Sequence, residues 1–531
     1  MPKLKPKRVS QQKENNTLKI PSQHDILKTI DDNIELIYQD GFVLCDEPIT
    51  PKFTPAISIL NENRLYSLLD SFLLIINDAF LDILLKFINE KICTYNLLKH
   101  KKYGSISKNE LYQFFGFYFA LTSEDVPKKR NIEIAFRSVC KQISNDKSIT
   151  YSRYKFIKQQ VLLSCFQINT LCSLISENCQ KLFISFNTVA IDETMISYKM
   201  STGRKKVLET MVEPTGLRHM ERKPHPDGFL IYQMATYIKN YEKKIPFSLG
   251  MFCVFEEQNA TPVEALRELL SYVQNRKDLL IVADSAFGTR DGLNTIASFQ
   301  FESLVSTQNA IFKKYSLALT YGLLVGNQRI FFNKQNEFLS VKHVEHHEDK
   351  NYICISTSLY DLDGAMILQN LKKISFTDSD KNQQFHTREM LEKMNIDEIK
   401  GLAVFQKMSK NYLNKSDLIS KVLQYEEKHF IGFRHQDVLS GFSNGNRYIF
   451  NNSIHEYYHE YFGSIDQIDR ILYSIPHVHP MRSMELKAFL KMIDIVSIDS
   501  FHLYTSKCSH YNYLEYRKRL GIKLIRTYPI Y

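Results

Sequence analysis

From about residue 60 to 185, apolar residues recur every three or four positions and β-branched alternation is rare, which predicts a helical segment. Its most apolar stretch, "SLLDSFLLIINDAFLDILLKFI" (67–88), is interrupted by Asp70, Asn77, Asp78 and Asp82. It reads as a buried amphipathic helix rather than a membrane span. The period then changes. "FNTVAID" (186–192), "GFLIYQMATYI" (228–238), "IPFSLGMFCVF" (245–255) and "DLLIVAD" (278–284) are short apolar or alternating runs bounded by Gly, Pro and charge, as strands are. Between the last two lies "TPVEALRELLSYVQN" (261–275), where Thr261 and Glu264 make a capping box and Pro262 takes the first helical position. Strands, a helix and a further strand predict a mixed α/β sheet with helices over one face.

Between 310 and 445, "QRIFFN", "EFLSVKHVE" and "NYICISTSL" read as strands among polar segments without a strong period, an insertion or subdomain. From 453 to 521 the pattern is helical again and ends in the basic amphipathic segment "YLEYRKRLGIKLI" (513–525). Residues 1–50 are polar and read as loosely ordered, and the chain holds no internal repeat or low-complexity tract.

At 531 residues, with 44% apolar and 24% charged residues, the composition is that of a globular chain of several domains. The net charge of +10 suits a polyanionic partner, either nucleic acid or an acidic membrane surface. Nine cysteines are scattered without a CxxC pair, which supports neither a disulfide framework nor a zinc ribbon and points to a reducing compartment. The N-terminus, "MPKLKPKRVSQQKENN", is basic with no apolar stretch behind it. It is no secretory signal, and reads either as a nuclear-localisation patch or as a solvated tail.

Two strand ends carry an isolated acid: Asp192 after "TVAI" and Asp284 after "LLIVA". A carboxylate there costs solvation unless something pairs it. A divalent cation shared by two neighbouring strands would do so, and two such ions could serve phosphoryl transfer. A turn or a helix capped by the acid is the other reading. A third acid is offered by Asp466 and Asp469, three residues apart on one predicted helix face behind Gly463, which would let the backbone turn or approach a ligand closely. His455 and His459 in "HEYYH" match the zinc-protease pattern H-E-x-x-H, but the extended form with a Gly and a third His fails here. Neither a phosphate-binding Gly-rich loop nor a G-x-S-x-G elbow is present.

Four blocks together resemble the piggyBac-type transposases, cut-and-paste DNA transposases with a ribonuclease-H-like catalytic core. They are "IDETMISYK" (191–199), "KPHPDGFLIY" (223–232), "VADSAFGTRDGL" (282–293) and "YYHEYFGSIDQID" (457–469). The resemblance covers about 60–525 and implies an α/β fold. Its divisions are a disordered basic tail (1–55), a helical DNA-binding and dimerisation domain in two parts (56–185 and 471–531), a ribonuclease-H-like core in two parts (186–309 and 446–470), and a mostly β insertion subdomain (310–445). It makes Asp192, Asp284 and Asp466 the catalytic, metal-binding triad, with Asp469 an auxiliary metal acid and Glu193 structural. It further implies two Mg²⁺ or Mn²⁺ ions, double-stranded DNA as both transposon ends and target, a homodimer and a nuclear location, with no membrane and no nucleotide cofactor. Arg204, Lys205, Lys206, Arg222 and Lys223, which flank the first block, would contact phosphates.

The sequence departs from the family in three places. The loop after Lys199 is long and irregular, Ser464 stands where the family has a second Gly, and Met484 sits near the place of the family's Trp. No Cys/His-rich zinc module follows the last helix, so sequence-specific binding of transposon ends is expected to be weak, different or lost. The second functional reading is therefore a domesticated, catalytically silent nuclear DNA-binding protein derived from such a transposase.

Overall fold

The structure is a computed structural model. It describes residues 43–44, 49–60, 67–99, 103–123, 132–143, 148–197, 218–219, 227–240, 243–255, 261–307, 328–332, 337–343, 352–362, 392–393, 415–416, 418–419, 453–476, 483–505 and 512–530. The basic tail, most of the 310–445 segment, and Arg204, Lys205, Lys206, Arg222 and Lys223 lie outside these residues.

Three short strands, β1 (Val43–Leu44), β2 (Ile49–Pro51) and β3 (Ile59–Leu60), precede the helical segment. That segment comprises α1 (Asp70–Leu73), α2 (Asp78–Lys99), α3 (Lys108–Thr122), α4 (Ile132–Ile143), α5 (Tyr151–Gln160) and α6 (Cys165–Gln180). The single helix expected over 67–88 is two. Asn77 starts the second piece: its side chain accepts the Phe80 N–H at 3.0 Å, as an N-cap does, and donates to Asn178 at 2.9 Å. Capping boxes at Ser107–Glu110 and Ser164–Gln167 start α3 and α6, and every residue of α3 from Leu111 to Thr122 is buried. No described helix is long and apolar enough to cross a membrane.

Next come β4 (Phe183–Ser185), β5 (Thr188–Ser197), β6 (Arg218–His219), β7 (Asp227–Asn240), β8 (Lys243–Val254), α7 (Pro262–Tyr272), β9 (Leu280–Ala283), α8 (Arg290–Ser298) and β10 (Glu302–Ser306). The Thr261–Glu264 capping box and Pro262 stand at the start of α7, where the sequence puts them. β5, β7 and β8 form an antiparallel meander, while β9 lies parallel to β5 and β10 parallel to β9, giving the order β8-β7-β5-β9-β10. The later strands β11 (Gln328–Phe332), β12 (Phe338–His343) and β13 (Tyr352–Thr357) add to the same sheet through an antiparallel β13–β10 pair, with β1 at its far edge. The described strands of 310–445 thus extend the central sheet. Only β14 (Tyr360–Leu362) leaves it, to pair with β2.

Four helices close the chain: α9 (Ser453–Phe462), α10 (Ser464–Ser474), α11 (Met484–Thr505) and α12 (Tyr513–Thr527). Helices cover both faces of the sheet, not one as the sequence suggested. In β9, Leu280 and Val282 belong to an apolar cluster with Ile454, Tyr458 and Tyr461 of α9, while Ile281 and Ala283 face a larger cluster containing Phe287 and Ile296. That alternation is what a strand buried on both sides requires.

Candidate metal centre

β5 and β9 pair in parallel from Thr188–Leu280 to Ile191–Ala283, so the next residue of each strand is an aspartate. This register carries Asp192 and Asp284 to adjacent positions on the α9 side of the sheet, the side of Val282. Asp192 is not at the end of its strand, as the apolar run suggested. What ends at Ile191 is the ladder to β9, while β5 continues to Ser197 against β7. Asp192 is 7% exposed and its Oδ1 accepts the N–H of Glu193 at 2.7 Å. Asp284 Oδ1 accepts the Ala286 N–H at 2.8 Å, and its carbonyl accepts the Phe287 N–H, so this acid also closes a turn. A Cβ at Gly288 would collide with the Ser306 carbonyl, which keeps that turn tight against β10.

Carboxylate oxygens of Asp192, Glu193 and Asp284 all lie within 4.8 Å of one another, the one gathering of three or more metal-type ligands among the described residues. Glu193, read from sequence as structural, is therefore part of the group. It leaves the pleat opposite Asp192, beside its cross-strand partner Tyr232, and the ladder's end at Ala283 leaves an edge around which the carboxylates meet. Burial raises the Tyr232 hydroxyl pKa, with Glu193 and Asp284 adding to it against the opposing pull of Arg218. All three ligands are hard oxygen donors, and such oxygens surround Mg²⁺, Mn²⁺ or Ca²⁺ at about 2.0–2.6 Å. The donor set therefore fits a hard divalent cation and not a soft one.

Tyr458 comes from α9 and was not singled out by the sequence. Burial raises its pKa, and the Asp284 and Asp192 carboxylates beside it raise it further, although a hydrogen bond with Ser306 opposes them. Its hydroxyl stays protonated.

The acids of the last block separate. Asp469 is 7% exposed and accepts the Thr194 hydroxyl at 2.8 Å, and Gln233 Nε2 in turn donates to Thr194. Thr194 lies two residues beyond Asp192 on the same face of β5, and Gln233 is the cross-strand partner of Asp192. Asp469 thus ties α10 to the strands behind the centre. Asp466 is exposed in the first turn of α10, where an acid also favours the helix dipole, and it stands outside the three-carboxylate group. Its charge adds to burial in holding the Tyr237 hydroxyl up at about 12. Gly463 needs no glycine conformation: its φ is −73°, and a Cβ there would meet only Tyr237 Oη at 3.7 Å.

The H-E-x-x-H pair holds no zinc-like geometry. His455 is buried with Nε2 2.9 Å from Ser340 Oγ. Burial lowers its pKa to about 3, helped by the neighbouring Lys342 and His459, and burial followed by Lys342 lowers that of His459. An ammonium beside both rings repels a dication, and no third ligand joins them among the described residues.

No protein family and no curated protein matches the sequence. Among solved structures, that of the piggyBac transposase, a cryo-EM synaptic complex with hairpin DNA, is similar with a TM-score of 0.53 and 12% identity over 89% of this chain and 83% of that one. At that identity the likeness is one of fold: a mixed α/β chain built on a large mixed sheet resembles that transposase.

Proposed function

We propose that this chain is a piggyBac-like DNA transposase that cuts and rejoins DNA at a divalent-metal centre built on Asp192 and Asp284. The observation that carries the reading is the gathering of Asp192, Glu193 and Asp284 within 4.8 Å at the end of a parallel strand pair, in a chain with this fold likeness. The order β8-β7-β5-β9-β10, antiparallel across the first three strands and parallel across the last three, supports reading the sheet centre as the ribonuclease-H-like core.

Asp192 and Asp284 would hold the metal, with Glu193 as the third carboxylate of the group and Asp466, the acid named by the resemblance, reaching it from α10. When bound, Mg²⁺ or Mn²⁺ supplies charge neutralisation at the phosphate and a more acidic attacking water. Tyr458 keeps its proton and would serve as a donor to bound phosphate. Asp469, through Thr194 and Gln233, holds α10 against β5 and β7. Arg204, Lys205, Lys206, Arg222 and Lys223 would bind the DNA backbone, so affinity should fall steeply with salt. A dimer acting in the nucleus completes the reading.

The test is nicking of a labelled DNA duplex in Mg²⁺ or Mn²⁺ buffer. Wild type is expected to nick, Asp192→Asn and Asp284→Asn to abolish nicking, and His455→Ala to retain it. Glu193→Gln and Asp466→Asn run alongside decide which of the two acids completes the centre. DNA binding without cleavage by wild type would overturn the enzyme and leave the silent DNA-binding protein.

A further inference from the structure

β5 runs on past its last pair with β9, and the half that follows Asp192 is paired with β7 alone. The Leu280 N–H of β9 donates to the Asn187 carbonyl, so odd-numbered residues of β5 direct their backbone groups to the β9 side. Beyond Ile191 no described strand lies against that edge. Backbone groups on such an edge still need partners when they are enclosed. Three consecutive odd positions find theirs in side chains. The Glu193 N–H goes to Asp192 Oδ1 at 2.7 Å, the Met195 carbonyl accepts the Tyr473 hydroxyl of α10 at 2.8 Å, and the Ser197 carbonyl accepts the Lys487 ammonium of α11.

The arrangement couples the edge to the acids. The Glu193 N–H holds one oxygen of the Asp192 carboxylate, and that N–H turns with the strand. A strand held by β7 on one side only twists more readily than one held on both. We propose that Tyr473 and Lys487 are positioning residues for the carboxylate centre, two side chains that hold the edge of β5 where no described strand pairs and so fix the Asp192–Glu193 peptide. This rests on reading the centre as a divalent-metal site. It differs from a general packing role because each contact is a single donor to a main-chain carbonyl, removable without loss of bulk.

The test uses the full chain and Mn²⁺ alone, with binding followed by electron paramagnetic resonance and with hydrogen exchange of residues 193–197 measured in parallel. Tyr473→Phe and Lys487→Met are each expected to weaken Mn²⁺ binding about tenfold, the lower end of what contacts supporting a metal ligand contribute. Exchange at 193–197 should quicken, thermal melting should move little, and Lys487→Arg should restore binding. Unchanged Mn²⁺ affinity and exchange in the double variant would overturn the positioning role. Asp284→Asn is the control for the centre: Mn²⁺ binding that it does not abolish, or a wild type that binds none, overturns the metal reading instead. The exchange data then decide on their own whether the two side chains hold the strand.

Discussion

His455 and His502 are the side chains through which acid should act on this fold. His455 is sealed between α9 and Ser340 of β12, and His502 lies buried on α11. Burial lowers their pKa values to about 3 and about 4, the latter against an opposing hydrogen bond to the Pro246 backbone. Both rings are neutral in the folded chain, whereas in the unfolded chain they take up protons near pH 6.5. Their contribution is therefore complete above pH 6.5 and is lost as pH falls toward 4 and then 3. Each ring should cost about 1.4 kcal/mol of stability per pH unit within that window. Urea denaturation between pH 7 and 4.5 should show this slope, and His455→Gln should remove one ring's share. A slope indifferent to that substitution would assign acid sensitivity to other groups. At this scale the sequence was only partly legible. An acid after each of two apolar runs marked Asp192 and Asp284, but an i, i+2 reading beyond Asp192 was needed to find Thr194. Glu193 escaped because alternation sends neighbouring residues to opposite faces, and nothing in the sequence tells that the flanking ladder has ended.

Between elements, α3 and α12 approach closely. A Cβ on Gly521 would lie 2.5 Å from the Gly116 carbonyl and 2.8 Å from the Ala120 nitrogen, and a Cβ on Gly116 2.7 Å from the Gly521 carbonyl. The two helices cross backbone to backbone, which only glycine permits. Gly521→Ala should destabilise the chain by about 1–3 kcal/mol, as overpacking does, and shift the urea midpoint accordingly. An unmoved midpoint would mean that the crossing relaxes freely. Helices with strong caps and strands with closed apolar runs could be read from the sequence, as the Thr261 cap and the "LLIVA" strand were. Boundaries set by one polar side chain could not. Asn77 caps the second helix within 67–88, and its amide is held by Asn178, far along the chain.

In the molecule as a whole, the helices before and after the sheet are joined by a buried charge network. Asp494 of α11 is paired with Arg517 of α12 at 2.7 Å and with Lys491 at 3.1 Å, and it accepts the Tyr118 hydroxyl of α3 at 3.0 Å. Arg517 is wholly buried, and its pull and that of Lys491 outweigh burial to hold the Asp494 pKa below the usual range. Asp494→Asn would leave two cations facing each other in the core and should cost about 3–5 kcal/mol, whereas Lys491→Met, which leaves the Arg517 pair intact, should cost far less. Equal losses on calorimetry would contradict this division. That the two helical segments meet at all was implied by the family resemblance; periodicity can find each helix but not its partner. The parallel β5–β9 pair has a consequence in time. Its two aspartates become neighbours only after β7, β8 and α7 have been made and packed between them in sequence. During synthesis the first carboxylate leaves the ribosome long before the second, and closing so wide a loop is slow. For that interval the nascent protein is a basic, half-built sheet in which Asp192 lacks its later neighbour Asp284.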